Sequence, residues 1–243
     1  MIRHSLVIPA FNEAKLLPRL LDTLDVARER YRHGAAAIEV IVADNSSTDT
    51  TPEIARERGC RVARVEKRCI AAARNGGAAV ANGEVLCFLD ADSQIHPDTF
   101  NAIDEALTRH TVIAGATGVH LERWSLGIAL TYCMFMPMVI LTGMDTGVVF
   151  CRRADFLTIG GYDERREFAE DVAFLWALRR LGRSRGAKLI RLTQVKAITS
   201  TRKFDRHGDW HYFTKVIPGA LPSLLSPARR SKMAQEYWYP DER

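Results

Sequence analysis

Short apolar runs alternate with helically spaced apolar residues along the N-terminal part of this chain. Ser5-Leu6-Val7-Ile8 reads as a first strand, which Pro9 is expected to break. Leu16, Leu17, Leu20, Leu21, Leu24 and Ala27 then recur at helical spacing, with Pro18 tolerable only in the first turn. Glu39-Val40-Ile41-Val42-Ala43 is a second strand and Asp44 ends it. Thr50 to Glu53 fits a capping box, with Pro52 near the helix start. Arg61 to Val65 is a short third strand, and Ile70 to Ala81 an Ala-rich helix closed by Asn82-Gly83. Val85-Leu86-Cys87-Phe88-Leu89 has the look of a fully buried parallel strand, and Asp90-Ala91-Asp92 ends it. This alternation predicts βαβ units and an α/β fold with a mostly parallel central sheet flanked by helices.

The second part is looser. Pro97 opens a helix running to about Thr108, Thr111 to Thr117 is a strand, and Thr146 to Phe150 is another. Gly160-Gly161 is a turn and Asp171 to Leu181 a helix. Between them Leu126 to Leu141 is apolar but short for a membrane span, and it contains Thr131, Tyr132 and Pro137. It predicts a buried or interfacial helix, and an exposed face there leaves room for peripheral contact with a bilayer or a lipid-linked substrate.

Composition narrows the class. The 243 residues, 47% hydrophobic and 26% charged, suit an ordinary globular domain. Five cysteines without a CxxC argue for a reducing compartment and against a disulfide framework or a zinc site. Met1 to Ser5 shows no signal-peptide core, so the expected location is cytoplasmic, with the inner membrane surface kept open by the apolar segment. The net charge of +5 is uneven: between Arg179 and Lys232 fourteen Lys or Arg face only Asp205 and Asp209. Such a block suits an anionic partner: diphosphate, anionic lipid or nucleic acid.

Three strand ends carry polar groups: Pro9 to Glu13, Asp44 to Ser47, and Asp90-Ala91-Asp92. In one parallel sheet these ends share the edge where ligands bind. Asp44 is a candidate base-binding carboxylate, Ser46 offers a small hydroxyl, and Mg²⁺ usually takes one or two carboxylates plus substrate phosphates. The dinucleotide glycine fingerprint and the Gly-Lys-Ser/Thr phosphate loop are both absent. A nucleotide here would be held by carboxylates and a metal.

The combination resembles the family-2 glycosyltransferases, which have the GT-A fold. The matching residues are Val7 to Glu13, Val42 to Asp49, Ala73-Arg74-Asn75-Gly76-Gly77, Phe88 to Asp92, Gly160 to Glu164 and Glu170-Asp171, in the family's order and spacing. The resemblance implies one glycosyltransferase domain over 1–243, with a nucleotide-binding half over 1–92 and an acceptor-binding half over 93–243. It implies a UDP- or GDP-sugar donor, a small-molecule, glycan or lipid-linked acceptor, and Mg²⁺ or Mn²⁺ as cofactor. Residue by residue, Pro9, Ala10, Phe11 and Glu13 would line the nucleoside site, with Asp44 on the base. Arg74 would sit near the donor. Asp90 would hold ribose or assist the metal, and Asp92 would bind the metal. In the C-terminal basic loop Arg202 and Lys203 are candidates to clamp the diphosphate, and His207 is a further metal candidate.

Glycosyl transfer has an oxocarbenium-like transition state and a leaving diphosphate that gains charge. A divalent metal offsets that charge, and an inverting enzyme needs one general base for the acceptor hydroxyl. The resemblance points to Asp171 as that base; a helix-start acid favoured by the dipole is the plainer reading. The processive Gln-x-x-Arg-Trp motif is missing, which argues for transfer of a single sugar. The alternatives are a retaining transferase, a nucleotidyltransferase, or a non-catalytic nucleotide-binding protein. A nucleic-acid partner is not expected, because no recognition pattern flanks the basic block.

Overall fold

The computed structural model describes residues 1–166 and 169–218. In chain order the elements are β1 (His4–Ala10), α1 (Leu17–Glu29), β2 (Ile38–Asp44), α2 (Thr51–Glu57), β3 (Arg61–Arg64), α3 (Ile70–Ala79) and β4 (Val85–Phe88). There follow β5 (Ser93–Gln94), α4 (Thr99–Leu107), β6 (Val112–Leu121), α5 (Leu126–Thr142), β7 (Val149–Arg152), α6 (Arg153–Ile159), α7 (Glu170–Ser184), β8 (Lys188–Thr199) and α8 (Arg202–His207). The described residues divide into two compact units, one within 1–120 and 143–199, the other within 121–142 and 200–218.

The first unit is an eight-stranded sheet of order β3-β2-β1-β4-β7-β6-β8-β5. The ladders β2–β3, β1–β2 and β1–β4 are parallel, and β7 turns antiparallel against β4 and β6. Every residue of β1 is buried, because helices cover both faces. Leu6 and Ile8 face Leu17, Leu20, Leu24 and Phe100 in one apolar layer. Val7 and Ile41 face Ala71, Ala73, Phe174 and Leu178 in the other. The apolar runs therefore read as continuous rather than alternating.

Three local expectations are corrected. Pro9 does not break β1, which pairs with β2 through Pro9↔Ala43 and Ala10↔Asp44. The Val7 carbonyl accepts from Leu89 on the β4 side, so Pro9, two residues on, turns its missing N–H to that same side, beyond the end of β4 at Phe88. The capping box at Thr50 does not form, since Thr50 makes no side-chain cap bond. Asp49 Oδ1 instead accepts the Thr51 backbone N–H at 3.0 Å and its hydroxyl at 2.5 Å. The strand expected from Thr146 begins at Val149.

In the second unit Arg123 gathers two acids, donating to Asp205 Oδ1 at 2.8 Å and Asp209 Oδ1 at 2.7 Å. The apolar segment forms α5 as expected, yet only Gly127, Ile128 and Thr131 of it are buried. Among the described residues no helix is long and apolar enough to cross a membrane. Arg229, Arg230 and Lys232 of the basic block lie outside the described residues.

Candidate active site

The carboxyl ends of β1, β2 and β3 are stitched into one platform by a residue whose role the sequence did not disclose. Asn45 donates its backbone N–H to the Ala10 carbonyl at 2.8 Å. Its Nδ2 donates to the carbonyls of Val65 at 3.0 Å and Lys67 at 2.6 Å, and its Oδ1 accepts from the Cys69 N–H at 3.0 Å. One residue thus ties three strand ends, its side-chain amide holding the loop after β3 and its backbone N–H the end of β1; nothing in the pattern separates it from its polar neighbours. Asp44 is buried and its Oδ1 accepts the Ser47 N–H at 3.1 Å. Ser46 donates to the Val65 carbonyl at 3.3 Å. The buried Glu13 donates its N–H to Thr51 Oγ1 at 2.8 Å, and its carbonyl accepts from Leu17 at the start of α1. Phe11 lies beneath the Arg68 guanidinium at 4.0 Å. Pro9, Ala10, Phe11, Glu13, Asp44 and Ser46 therefore share this sheet edge.

The second cluster is built on Arg74, which α3 holds 4% exposed. Its Nη2 donates to Asp90 Oδ1 at 2.9 Å. Its Nη1 donates to Glu170 Oε1 at 2.7 Å and also to Asp171. One guanidinium thus draws the acid at the end of β4 and both acids at the start of α7 to a common point, Glu170 being the member the sequence did not single out. Burial pushes the Asp171 carboxyl up to about 7, against the pull of Arg74 and with help from the negative charge of Glu170 and Asp90. The side chain still keeps 22% of its surface exposed.

Tyr162 floors the cluster. Its ring lies 5.1 Å from the Arg74 guanidinium carbon and stacks on Phe174 at 4.0 Å. Asn75 fixes the loop that carries it, donating to the Tyr162 carbonyl at 2.9 Å and Glu164 Oε1 at 3.0 Å while accepting the Tyr162 N–H at 2.9 Å. This contact explains Gly160-Gly161: both have left-handed φ, and a Cβ on Gly161 would lie 2.6 Å from Asn75 Oδ1. Arg74 Nε and the Tyr162 hydroxyl are buried without a hydrogen-bond partner, as are Arg28 Nε and Thr99 Oγ1 elsewhere among the described residues.

Every described non-glycine residue with positive φ borders these clusters: Asn12 (54°), Ser46 (66°) and Ala169 (55°). Left-handed backbone costs roughly 1–2 kcal/mol per residue, and strain of this kind gathers at functional sites. A cleft of about 900 Å³ runs beside α7, lined by Tyr162, Glu164, Val172, Trp176 and Arg180 among others. Asp171 does not line it, so it does not carry the chemistry by itself.

Among the described residues no group of three or more His, Cys, Asp or Glu is arranged to hold a metal. Asp90 and Asp92, each partly exposed at the end of β4, form an all-oxygen pair of hard donors. That set fits Mg²⁺ or Mn²⁺ when substrate phosphates complete the shell. Arg202, Lys203 and His207 all lie on α8 of the second unit.

The model of the family described as glycosyl transferase family 2 matches residues 5–129. The chain belongs to that family. Within this family-2 match lie the stitched strand ends, Arg74, and the Asp90–Asp92 pair. Among relatives, the chain is 41% identical to the validoxylamine A glucosyltransferase of Streptomyces hygroscopicus subsp. jinggangensis over 35% of its own length and 21% of that protein's. It thus spans about a fifth of that relative. Among solved structures, it resembles S. aureus TarS in complex with UDP-GlcNAc, with TM-score 0.63 and 21% identity over 83% of this chain and 59% of that one. It also resembles the mannosyltransferase PcManGT from Pyrobaculum calidifontis in complex with GDP-Man and Mn²⁺, with TM-score 0.63 and 22% identity over 81% and 56%. These structural likenesses bear on the fold, and they agree with the expected α/β class of GT-A type.

Proposed function

We propose that this family-2 chain transfers one sugar from a nucleoside diphosphate sugar to an acceptor hydroxyl, with inversion and with Asp171 as general base. The observation that carries this reading is the convergence of Asp90, Glu170 and Asp171 on Arg74, with Asp171 pushed up to about 7. A base is most effective when its pKa lies near the working pH. The acceptor oxygen forms its bond to the anomeric carbon as its proton passes to the Asp171 carboxylate. The bond from that carbon to the diphosphate oxygen breaks, and its electron pair leaves on the diphosphate. Asp44 takes the base edge of the nucleoside, and Pro9, Ala10, Phe11 and Glu13 wall the pocket. Asp92, with Asp90 near it, would hold a divalent cation, which would supply charge stabilisation for the leaving diphosphate. Arg74 orients the three acids and keeps the base aligned. A UDP- or GDP-sugar is the proposed donor, in line with the ligands of the TarS and PcManGT structures.

Thermal unfolding with UDP- and GDP-sugars, each with and without Mn²⁺, tests this reading. The expected result is a rise in Tm that needs sugar nucleotide and metal together and disappears in Asp92→Ala. The absence of any metal-dependent rise across these donors would overturn it.

A further inference from the structure

From Leu126 to Thr142 α5 contains no charged residue. A helix apolar on all sides belongs in a protein core or in lipid, yet α5 presents Leu130 44%, Met138 52%, Ile140 64% and Leu141 81% exposed. Seventeen residues rise about 25 Å, which is less than the hydrocarbon thickness of a bilayer. The helix is therefore too short to cross a bilayer, while its exposed side chains are apolar enough to enter the acyl boundary with the neighbouring segments left in water.

The second unit supplies those neighbours. Phe135 of α5 packs on Tyr212 at 5.7 Å, and Tyr212 on Phe204 of α8 at 5.7 Å. These two segments carry Arg202, Lys203, Arg206 and Lys215, of which Arg206 and Lys215 are exposed. Asp205 and Asp209 are both drawn onto Arg123. Trp124, packed on Tyr132 at 5.3 Å, and Trp210 are about half exposed, as aromatic rings at headgroup level are. In the described part of this unit five Arg or Lys face three Asp or Glu.

We propose that α5, with the basic residues of α8 and the Tyr212–Val216 turn, docks the protein on an anionic phospholipid surface. The charge pattern chooses this occupant over a second copy of the chain. A two-fold dimer through α5 would bring two copies of the same excess of cations together and supply no anions to meet them. Anionic headgroups attract each Lys or Arg near the surface, and Met134, Met136 and Met138 give a pliable apolar face. The inference goes beyond the sugar-transfer reading and does not depend on it.

Flotation of the full chain with phosphatidylcholine vesicles, with and without phosphatidylglycerol, tests the proposal without any sugar donor. The protein should float with the anionic vesicles and be released by high salt. Met138→Glu and Leu141→Glu should each weaken binding about tenfold, and Arg206→Gln or Lys215→Gln about fivefold. An environment-sensitive dye on the exposed Cys133 of α5, in a Cys69→Ser background, should brighten on vesicle addition. Unchanged thermal unfolding of the variants separates docking from folding. Wild-type protein that stays with the aqueous phase and a dye that stays dark would overturn the proposal, as would a dimer by light scattering that the same substitutions dissociate. Neither result would touch the donor-binding test above.

Discussion

Arg74 Nη2 sits 2.9 Å from Asp90 Oδ1, which ties the acid at the end of β4 to the helix before it in the chain. The other arm of the same guanidinium reaches the start of α7. The relation predicts how the cluster fails. Arg74→Met leaves Glu170 and Asp171 facing each other without a cation, a loss of about 3–5 kcal/mol. The loss should be deepest at high pH and ease as pH falls and the acids take up protons. Urea unfolding across pH checks it, and an equal loss at every pH would contradict it.

Asp171 carries its own pH signature. Its carboxyl, ordinarily at 3.8, is raised to about 7 in the folded chain. Between those values the folded state holds a proton that the unfolded state lacks, so this stabilisation is present at low pH and fades as pH rises through about 7. Asp171→Asn resembles the protonated form. It should match the parent in stability in acid and exceed it by up to about 4 kcal/mol above neutral pH. A variant less stable than the parent above neutral pH would show that the pull of Arg74 outweighs burial.

Asn75 makes three hydrogen bonds to the Tyr162–Glu164 loop. Asn75→Ala should cost about 1–3 kcal/mol and speed amide exchange over residues 160–166 while leaving β1 and β2 protected. Exchange that rises uniformly over the first unit would mean general loosening instead.

Ala169 enters α7 with φ of 55°. Glycine adopts that backbone without the Cβ penalty, so Ala169→Gly should raise stability by roughly 1 kcal/mol, read as a higher urea midpoint. A lower midpoint would show that the lost chain entropy exceeds the strain.

These positions show what the pattern of residues could and could not disclose. β1, β2 and β4 and their polar ends were legible because a parallel sheet covered on both faces demands unbroken apolar runs such as Val85–Leu89. Pro9 misled, since proline ends a strand only where its missing N–H faces a partner, and the partner's end is a tertiary fact. The capping role of Asp49 was hidden by the better-looking Thr50. Glu170 looked like a neighbour of the base, because its bond to Arg74 spans 96 positions in the chain. Asn45 and Asn75 act through side-chain direction, which spacing does not encode. In α5 the apolar content was plain, but its exposure was not.

The central claim is that Asp171 takes the acceptor proton, and the most direct measurement is the rate of nucleoside diphosphate release below and above pH 7. The donor is the sugar nucleotide that raises Tm, and water or an acceptor is the nucleophile. The parent's rate should fall as pH drops through about 7, and Asp171→Asn should lose about 10²–10⁴ in rate while keeping the donor-induced rise in Tm. A variant within about threefold of the parent, with the same pH profile, would contradict the account.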